Sequence, residues 1–221
     1  METFKKYPVT SFLVLLTTLV FLAMQIVYFG AADRPAAILN FGGMYGNLVI
    51  QSPDQLWRLV TPIFVHIGWE HFLFNTLILY FIGQLAESIW GSWKFLLLYI
   101  LSGIMGNIFT LYFTADVVAA GASTSLFGLF SAIIALSYFT KNPYLKQIGS
   151  SYQILIAINL VFNLFMPSIS IAGHLGGLFG GVCCAFMLPS AAEKNIFSKR
   201  QRFLAAFLYL AFAVAMLFFA F

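Results

Sequence analysis

Ser123, in Gly121-Ala122-Ser123-Thr124-Ser125, and His174, in Ala172-Gly173-His174-Leu175-Gly176-Gly177, are a hydroxyl and an imidazole that each open an apolar run. A serine becomes a nucleophile when a nearby base takes its proton, and imidazole is the side chain suited to that task near neutral pH. Alone, a membrane serine is most simply a helix cap or a hydroxyl bonded back to its own helix, and a histidine a packing residue with one partner. At matching depth on closely packed helices, the two are better explained as nucleophile and base. His71 and Asn75 lie four residues apart, one turn apart on one helical face. Such a pair is often interhelical glue, yet an imidazole and a side-chain amide also suit the donors that acyl transfer needs where a carbonyl oxygen becomes negative. His66 reads as a loop residue. A metal site built from His66, His71 and His174 lacks its carboxylate, since Glu70 points elsewhere than His71 and no HExxH spacing occurs. The chemistry on offer therefore calls for no metal and no cofactor.

The elements that must position these residues are membrane spans. Of 221 residues, 62% are hydrophobic and 8% charged, far from the roughly 25% charged residues of a soluble domain. Seven apolar segments approach the roughly 20 residues that cross about 30 Å of hydrocarbon: 9 to 29, 71 to 90, 94 to 113, 121 to 139, 151 to 166, 171 to 189 and 203 to 221. The first follows Lys5 and Lys6 and lacks the small-residue cleavage site of a secretory signal, so it is expected to stay as a span. The fifth is the weakest, a short apolar core that stops at Pro167. With the N-terminus in the cytoplasm, Lys5, Lys6, Lys94, Lys141, Lys146, Lys194, Lys199, Arg200 and Arg202 fall inside and only Arg34 and Arg58 outside, nine against two. That orientation puts the C-terminus outside and starts spans four and six at the outer face, so Ser123 and His174 share a depth. The long loop 30 to 70 lies outside and is expected to be ordered, with Leu56 to Val65 resting in the interface. The net charge of +4 reflects this orientation: no basic stripe lies on an element that follows a phosphate backbone, which argues against nucleic acid as a partner.

Small residues mark the helix contacts. Gly173, Gly177 and Gly181 recur every fourth residue in span six, and Gly121, Ser125, Gly128, Ala132 and Ala135 form a stripe in span four, so both backbones can approach closely. Cys183 and Cys184 are adjacent in an apolar run, where a bridge between neighbours is strained, and read as packing residues.

Trp57-Arg58 in the first loop, His71-x-x-x-Asn75 opening span two, Gly121-x-Ser123 opening span four and His174-x-x-Gly177-x-x-x-Gly181 in span six together resemble the rhomboid family of intramembrane proteases. Each motif is weak alone; their order, span and side agree. The resemblance implies an all-α fold, a polytopic helical bundle with a six-span core over 1–190, then a basic cytoplasmic linker and a seventh transmembrane helix over 191–221. It further implies a Ser/His dyad without a carboxylate, with oxyanion donors in the Ser123 backbone amide and the His71 and Asn75 side chains. By analogy with relatives, Phe127, one turn below Ser123, packs against the His174 ring, while Gly121, Gly177, Trp57 and Arg58 are supporting residues. Span five and the loop Pro167 to Ile171 take the places of a lateral gate and a cap. The expected partners are the lipid bilayer and transmembrane protein substrates cleaved near the outer face, and the expected site is a bacterial plasma membrane. One position departs from the pattern: most relatives carry Gly after the nucleophile, and here Thr124 follows it, which either widens the contact between spans four and six or faces another way. Two other functions remain open. A catalytically silent relative that binds membrane helices needs no dyad, yet this chain keeps both Ser and His. A small transporter using His71, Asn75, Asn159 and Asn163 as a polar path would call for an internal repeat or paired broken helices, and neither is present; Asn159 and Asn163 read more simply as interhelical hydrogen-bonding residues.

Overall fold

The computed structural model describes residues 2–163, 170–191, 193 and 195–221. A short α1 (Glu2–Lys6) precedes α2 (Pro8–Val27), and the two short helices α3 (Pro35–Asn40) and α4 (Gly46–Gln51) lie in the loop that follows. Then come α5 (Gly68–Trp90), α6 (Ser92–Phe113), α7 (Ser123–Phe139), α8 (Pro143–Asn163), α9 (Ile171–Met187) and α10 (Lys199–Ala220). This is a helical membrane bundle. By length and hydropathy α2, α5, α6 and α10 each suffice to cross a membrane, while α7 and α9 are apolar but 17 residues long. Seventeen residues rise about 25 Å, less than about 30 Å of hydrocarbon, so one end of each short helix is recessed.

Local chemistry sets where the helices begin. Pro8 opens α2 with its φ already helical, and the buried Glu87 of α5 reaches its free amides. Glu87 accepts from Val9 N–H (3.1 Å), Thr10 N–H (2.8 Å), Thr10 Oγ1 (2.7 Å) and Ser92 Oγ (2.6 Å). Gly91, at φ +77°, turns the chain from α5 into α6. α8 begins eight residues earlier than the segment 151 to 166 suggested. The Asn142 side chain accepts from Tyr144 N–H (2.9 Å) ahead of Pro143, a start signal that outweighs the polar stretch Lys146 to Ser151. Its predicted end at Pro167, and the cap loop to Ile171, fall largely outside the described residues.

α9 is the centre of the packing. Its glycines occupy two faces: a Cβ at Gly177 or Gly181 would strike the Thr124 or Gly128 carbonyl of α7, and one at Gly176 or Gly180 would strike Met105, Phe109 or Ser102 of α6. The second glycine face is additional to the stripe at 173, 177 and 181. In a membrane, where lipid is as apolar as leucine, such close approach is the main attraction between helices. α10 lies against α6 and α9 through Tyr209, Ala213 and Met216, and Tyr209 Oη donates to the Leu101 carbonyl (2.8 Å).

The loop between α2 and α5 is ordered. Met44–Tyr45 (β1) pairs antiparallel with Val118–Ala119 (β2), which leads directly to Ser123. The buried Arg58 guanidinium donates to the Leu39 (2.8 Å) and Gly43 (2.7 Å) carbonyls and to Gln55 Oε1 (3.0 Å), and stacks over Trp57 at 4.3 Å. Trp57 and Arg58 therefore brace this loop and stand away from the cavity-lining set.

Candidate active site

α7 starts at Ser123 because Gly121 makes the turn before it. Gly121 has φ +137°, and a Cβ there would meet the His71 ring, so both the backbone and the space demand glycine. Gly121 N–H donates to the Pro62 carbonyl (2.9 Å), and Ala122 N–H donates to His66 Nε2 (3.2 Å). His66 is thus no simple loop residue. It is fully buried, and it fixes the peptide immediately before the serine. Burial pushes its pKa down to about 3, helped by the neighbouring His71 ring and opposed by the Phe64 backbone, so at neutral pH its Nε2 keeps the lone pair that Ala122 needs. The only sequence signal for this role was its position among Pro62 and the apolar residues Ile63 to Val65.

On α9, Ser170 caps the helix by accepting from Gly173 N–H (3.1 Å) and lies 3.1 Å from Thr110 Oγ1 of α6. That cap fixes the first turn of α9, and His174 is one residue beyond Gly173. Its Nε2 lies 2.9 Å from Ser123 Oγ. The His174 ring stacks on Phe127, with centroids 4.2 Å apart and planes 12° from parallel, so its orientation is held by a flat partner one turn below the serine.

Thr124 fills a notch. Its side chain sits where Cβ atoms on Gly106 of α6 and Gly173 of α9 would lie, and its carbonyl faces Gly177. Glycines on both neighbours leave room for this branched side chain, whose buried Oγ1 has no hydrogen-bond partner among the described residues.

Ser123, His174, His71, Asn75, Gly121 and Phe127 all line one cavity of about 720 Å³, which is walled further on by α5, α6 and α8. Asn75 is less free than its position suggested: Nδ2 donates to the His71 carbonyl of its own helix (2.8 Å), which leaves the second amide hydrogen. Ser123 is the first residue of α7, so its N–H has no partner within the helix. Gly177 belongs to the helix contact rather than to the cavity lining. Asn107, also on the cavity wall, donates to the Leu59 carbonyl (2.9 Å) and ties α6 to the loop. Asn159 lines the cavity from α8 and donates to the Leu155 carbonyl of its own helix (2.8 Å); the interhelical bond expected for it is absent among the described residues. The Asn163 side chain lies outside them. No cluster of three or more His, Cys, Asp or Glu side chains able to hold a metal occurs among the described residues.

Residues 53–191 match the Rhomboid domain family. The chain is 36% identical over 210 residues to the rhomboid protease GluP of Bacillus subtilis (strain 168), covering 91% of this chain and 40% of that protein. It is 33% identical over 200 residues to YdcA, a rhomboid-named protein of the same organism, covering 88% of this chain and 96% of that one. Rhomboid-like protease 3 of Toxoplasma gondii is 34% identical over 134 residues, 59% of this chain and 51% of that protein. The chain therefore spans well under half of GluP but nearly all of YdcA.

Proposed function

The chain belongs to the rhomboid family, and from that membership and its site we propose that it is an intramembrane serine protease with Ser123 as nucleophile and His174 as general base. The observation that carries this reading is the 2.9 Å contact between Ser123 Oγ and His174 Nε2 on the wall of a cavity within the bundle.

His174 Nε2 accepts the Ser123 proton as Oγ attacks the scissile carbonyl carbon, and a tetrahedral oxyanion forms. The Ser123 N–H, the His71 ring and the free hydrogen of the Asn75 amide donate to that oxygen, each donor worth roughly 3 kcal/mol. The imidazolium then protonates the departing amine. Water, activated by the same imidazole, hydrolyses the acyl-serine ester and restores the enzyme. Phe127 limits the search of the His174 ring to the plane that faces Ser123. No metal or cofactor enters these steps.

Substrates are transmembrane segments that enter sideways between α5 and α8, past Phe74, Ile78, Leu155 and Ile156, all of which line the cavity. The bundle sits in a bacterial plasma membrane with its N-terminus in the cytoplasm and its C-terminus outside, residues 1–190 forming the catalytic core and 191–221 a linker and accessory helix. Cross-linking α5 to α8 is expected to stop cleavage of a helical substrate; undiminished cleavage would discard the entry route. The decisive test is reconstitution with a single-span substrate. Wild type should cleave near the outer face and be labelled by a fluorophosphonate, and Ser123→Ala and His174→Ala should abolish cleavage. Activity that survives Ser123→Ala refutes the mechanism.

A further inference from the structure

A polar side chain at membrane depth is costly unless it has work or a partner, and Asn159 of α8 stands on the cavity wall beside the apolar Leu155 and Ile156. Its level follows from the packing of α7 and α8. The Tyr152 ring meets the Phe130 ring at 4.9 Å, and Gly149 lies against Ser137, so the two helices run antiparallel. Seven residues on from Tyr152 is Asn159, and seven residues back from Phe130 is Ser123. Both steps climb about 10 Å in the same direction. Counted from the Gly149–Ser137 contact instead, Asn159 is ten residues on and Ser123 fourteen back, about 15 Å against about 21 Å, so Asn159 sits across the cavity between the level of the reacting hydroxyl and about one turn deeper.

Its bonding leaves it capacity. One amide hydrogen goes to the Leu155 carbonyl of its own turn (2.8 Å), which holds the side chain along α8. A primary amide has a second hydrogen and an acceptor oxygen as well. Were Asn159 simply glue between helices, its bond would cross to α7; the bond observed stays on α8.

A target helix cannot be cleaved while helical, because the scissile carbonyl must turn toward Ser123. Unwinding at that level frees backbone N–H and C=O groups in a region poor in water, where each unpaired group is expensive. We propose that Asn159 is a positioning residue for the substrate: its side-chain amide pairs with backbone groups that the target exposes on unwinding, on the side of the cavity opposite Ser123. The substrate class favoured is a transmembrane segment with an extended stretch at the cleavage level, recognised through its main chain and so tolerant of side-chain identity. This inference rests on the protease reading of the same cavity.

The test uses the full-length protein in proteoliposomes with a single-span substrate, and compares wild type with Asn159→Leu, Asn159→Ala and Asn159→Gln. Because the helix docks before it unwinds, Asn159→Leu and Asn159→Ala should lower kcat about tenfold, the ratio one ordinary hydrogen bond is worth, with KM within twofold. Asn159→Gln, which keeps the amide, should stay within threefold of wild type. A small alkyl fluorophosphonate has no peptide backbone, so it should label Ser123 at similar rates in all four proteins. Wild-type kcat in both Asn159→Leu and Asn159→Ala overturns the proposal. So does labelling that slows in parallel with cleavage, or a Gln variant as impaired as the Leu variant, for either outcome marks a packing role. Should Asn159→Leu fail to fold, Asn159→Ala against Asn159→Gln decides. Failure of the protease reading looks different: wild type neither cleaves nor labels, or Ser123→Ala still cleaves.

Discussion

Adding one methyl group at Gly177 should disable the site without touching it. A Cβ there would lie 2.9 Å from the Thr124 carbonyl carbon and 3.2 Å from its Cα, and closer still to the carbonyl oxygen. Relief cannot come from a rotamer, since every clashing atom is main chain of α7. The helices must part, by about 1 Å to restore ordinary carbon contacts of roughly 3.5–4 Å. His174 is three residues before Gly177 and Ser123 is one before Thr124, so the movement acts almost wholly on the Ser123 Oγ to His174 Nε2 distance. Starting from 2.9 Å, an added 1 Å exceeds hydrogen-bond reach, about 3.2 Å for heavy atoms. A misplacement of that size costs about 100-fold in rate, whereas overpacking of this kind costs about 1–3 kcal/mol in stability. Gly177→Ala should therefore stay folded while kcat/KM for a single-span substrate and the rate of fluorophosphonate labelling both fall about 100-fold. Thermal unfolding in detergent checks the first half, and cleavage kinetics the second. Wild-type kcat/KM in Gly177→Ala would show that the contact between α7 and α9 does not set the dyad distance.

Phe127→Ala removes the ring that lies 4.2 Å from His174; loss of about 0.5–1.5 kcal/mol of ring contact should lower kcat up to about tenfold, and Phe127→Tyr should restore it. An Ala variant with full kcat would make the stacking incidental. Glu87→Gln replaces one acceptor oxygen by a donor nitrogen among four donors (Val9 N–H, Thr10 N–H, Thr10 Oγ1 and Ser92 Oγ). Leaving buried donors unpaired costs about 1–3 kcal/mol, so the melting temperature should drop while the labelling rate of the folded fraction holds; an unchanged melting temperature argues against the cap. His66 makes stability depend on pH. Its folded pKa of about 3 lies below the ordinary imidazole value of 6.5, so the unfolded chain binds the extra proton between those values. The contribution is complete above about pH 6.5 and is lost as pH falls toward 3, by up to about 1.4 kcal/mol per unit. His66→Gln, which keeps an acceptor for Ala122 N–H, should flatten that slope in a melting series from pH 7 to pH 4; an equal slope in both proteins assigns it to other groups.

How much of this was legible beforehand differs by kind of residue. Periodic apolar runs and the Gly177 and Gly181 spacing announce helices and close contacts, because hydropathy and the absence of a Cβ are local properties. The start of α8 at Pro143 was obscured by its polar first turns, although Asn142-Pro143 carries a start signal that hydropathy alone ignores. His66 was read as a loop residue and Glu87 was passed over for a common reason: each works through a main-chain group far along the chain, Ala122 for His66 and Val9 for Glu87, whereas Ser170 caps its own helix at Gly173 N–H and only its contact with Thr110 is distant. Sequence spacing has no way to express a partner 56 or 78 residues distant. Thr124 could be flagged as unusual, but its accommodation depends on Gly106 of α6, which only the packing brings beside it.

The glycines and the buried polar residues solve one problem between them. Lipid offers helices little hydrophobic reason to associate, so α9 is held by backbone-close contacts on both faces, to α7 through Gly177 and Gly181 and to α6 through Gly176 and Gly180. Contacts of that kind fix separation but not axial height, because a smooth glycine surface resists sliding poorly. Height is set at one end by polar bonds. Ser170 caps α9 and meets Thr110 of α6 at 3.1 Å; Asn107 ties α6 to Leu59; Ala122, ahead of α7, is bonded to His66. Each of the three helices around the serine and the imidazole is thus pinned at the end that carries the chemistry. The opposite end is joined through longer side chains, Thr140 Oγ1 donating to Glu193 and Lys94 Nζ to the Pro189 carbonyl. It follows that substitutions breaking the first set should alter the dyad before they alter unfolding, and those breaking the second should do the reverse. Thr110→Val and Lys94→Met, each near-isosteric, separate the two cases: the first should slow Ser123 labelling several-fold with little change in melting temperature, the second should lower the melting temperature and leave labelling alone.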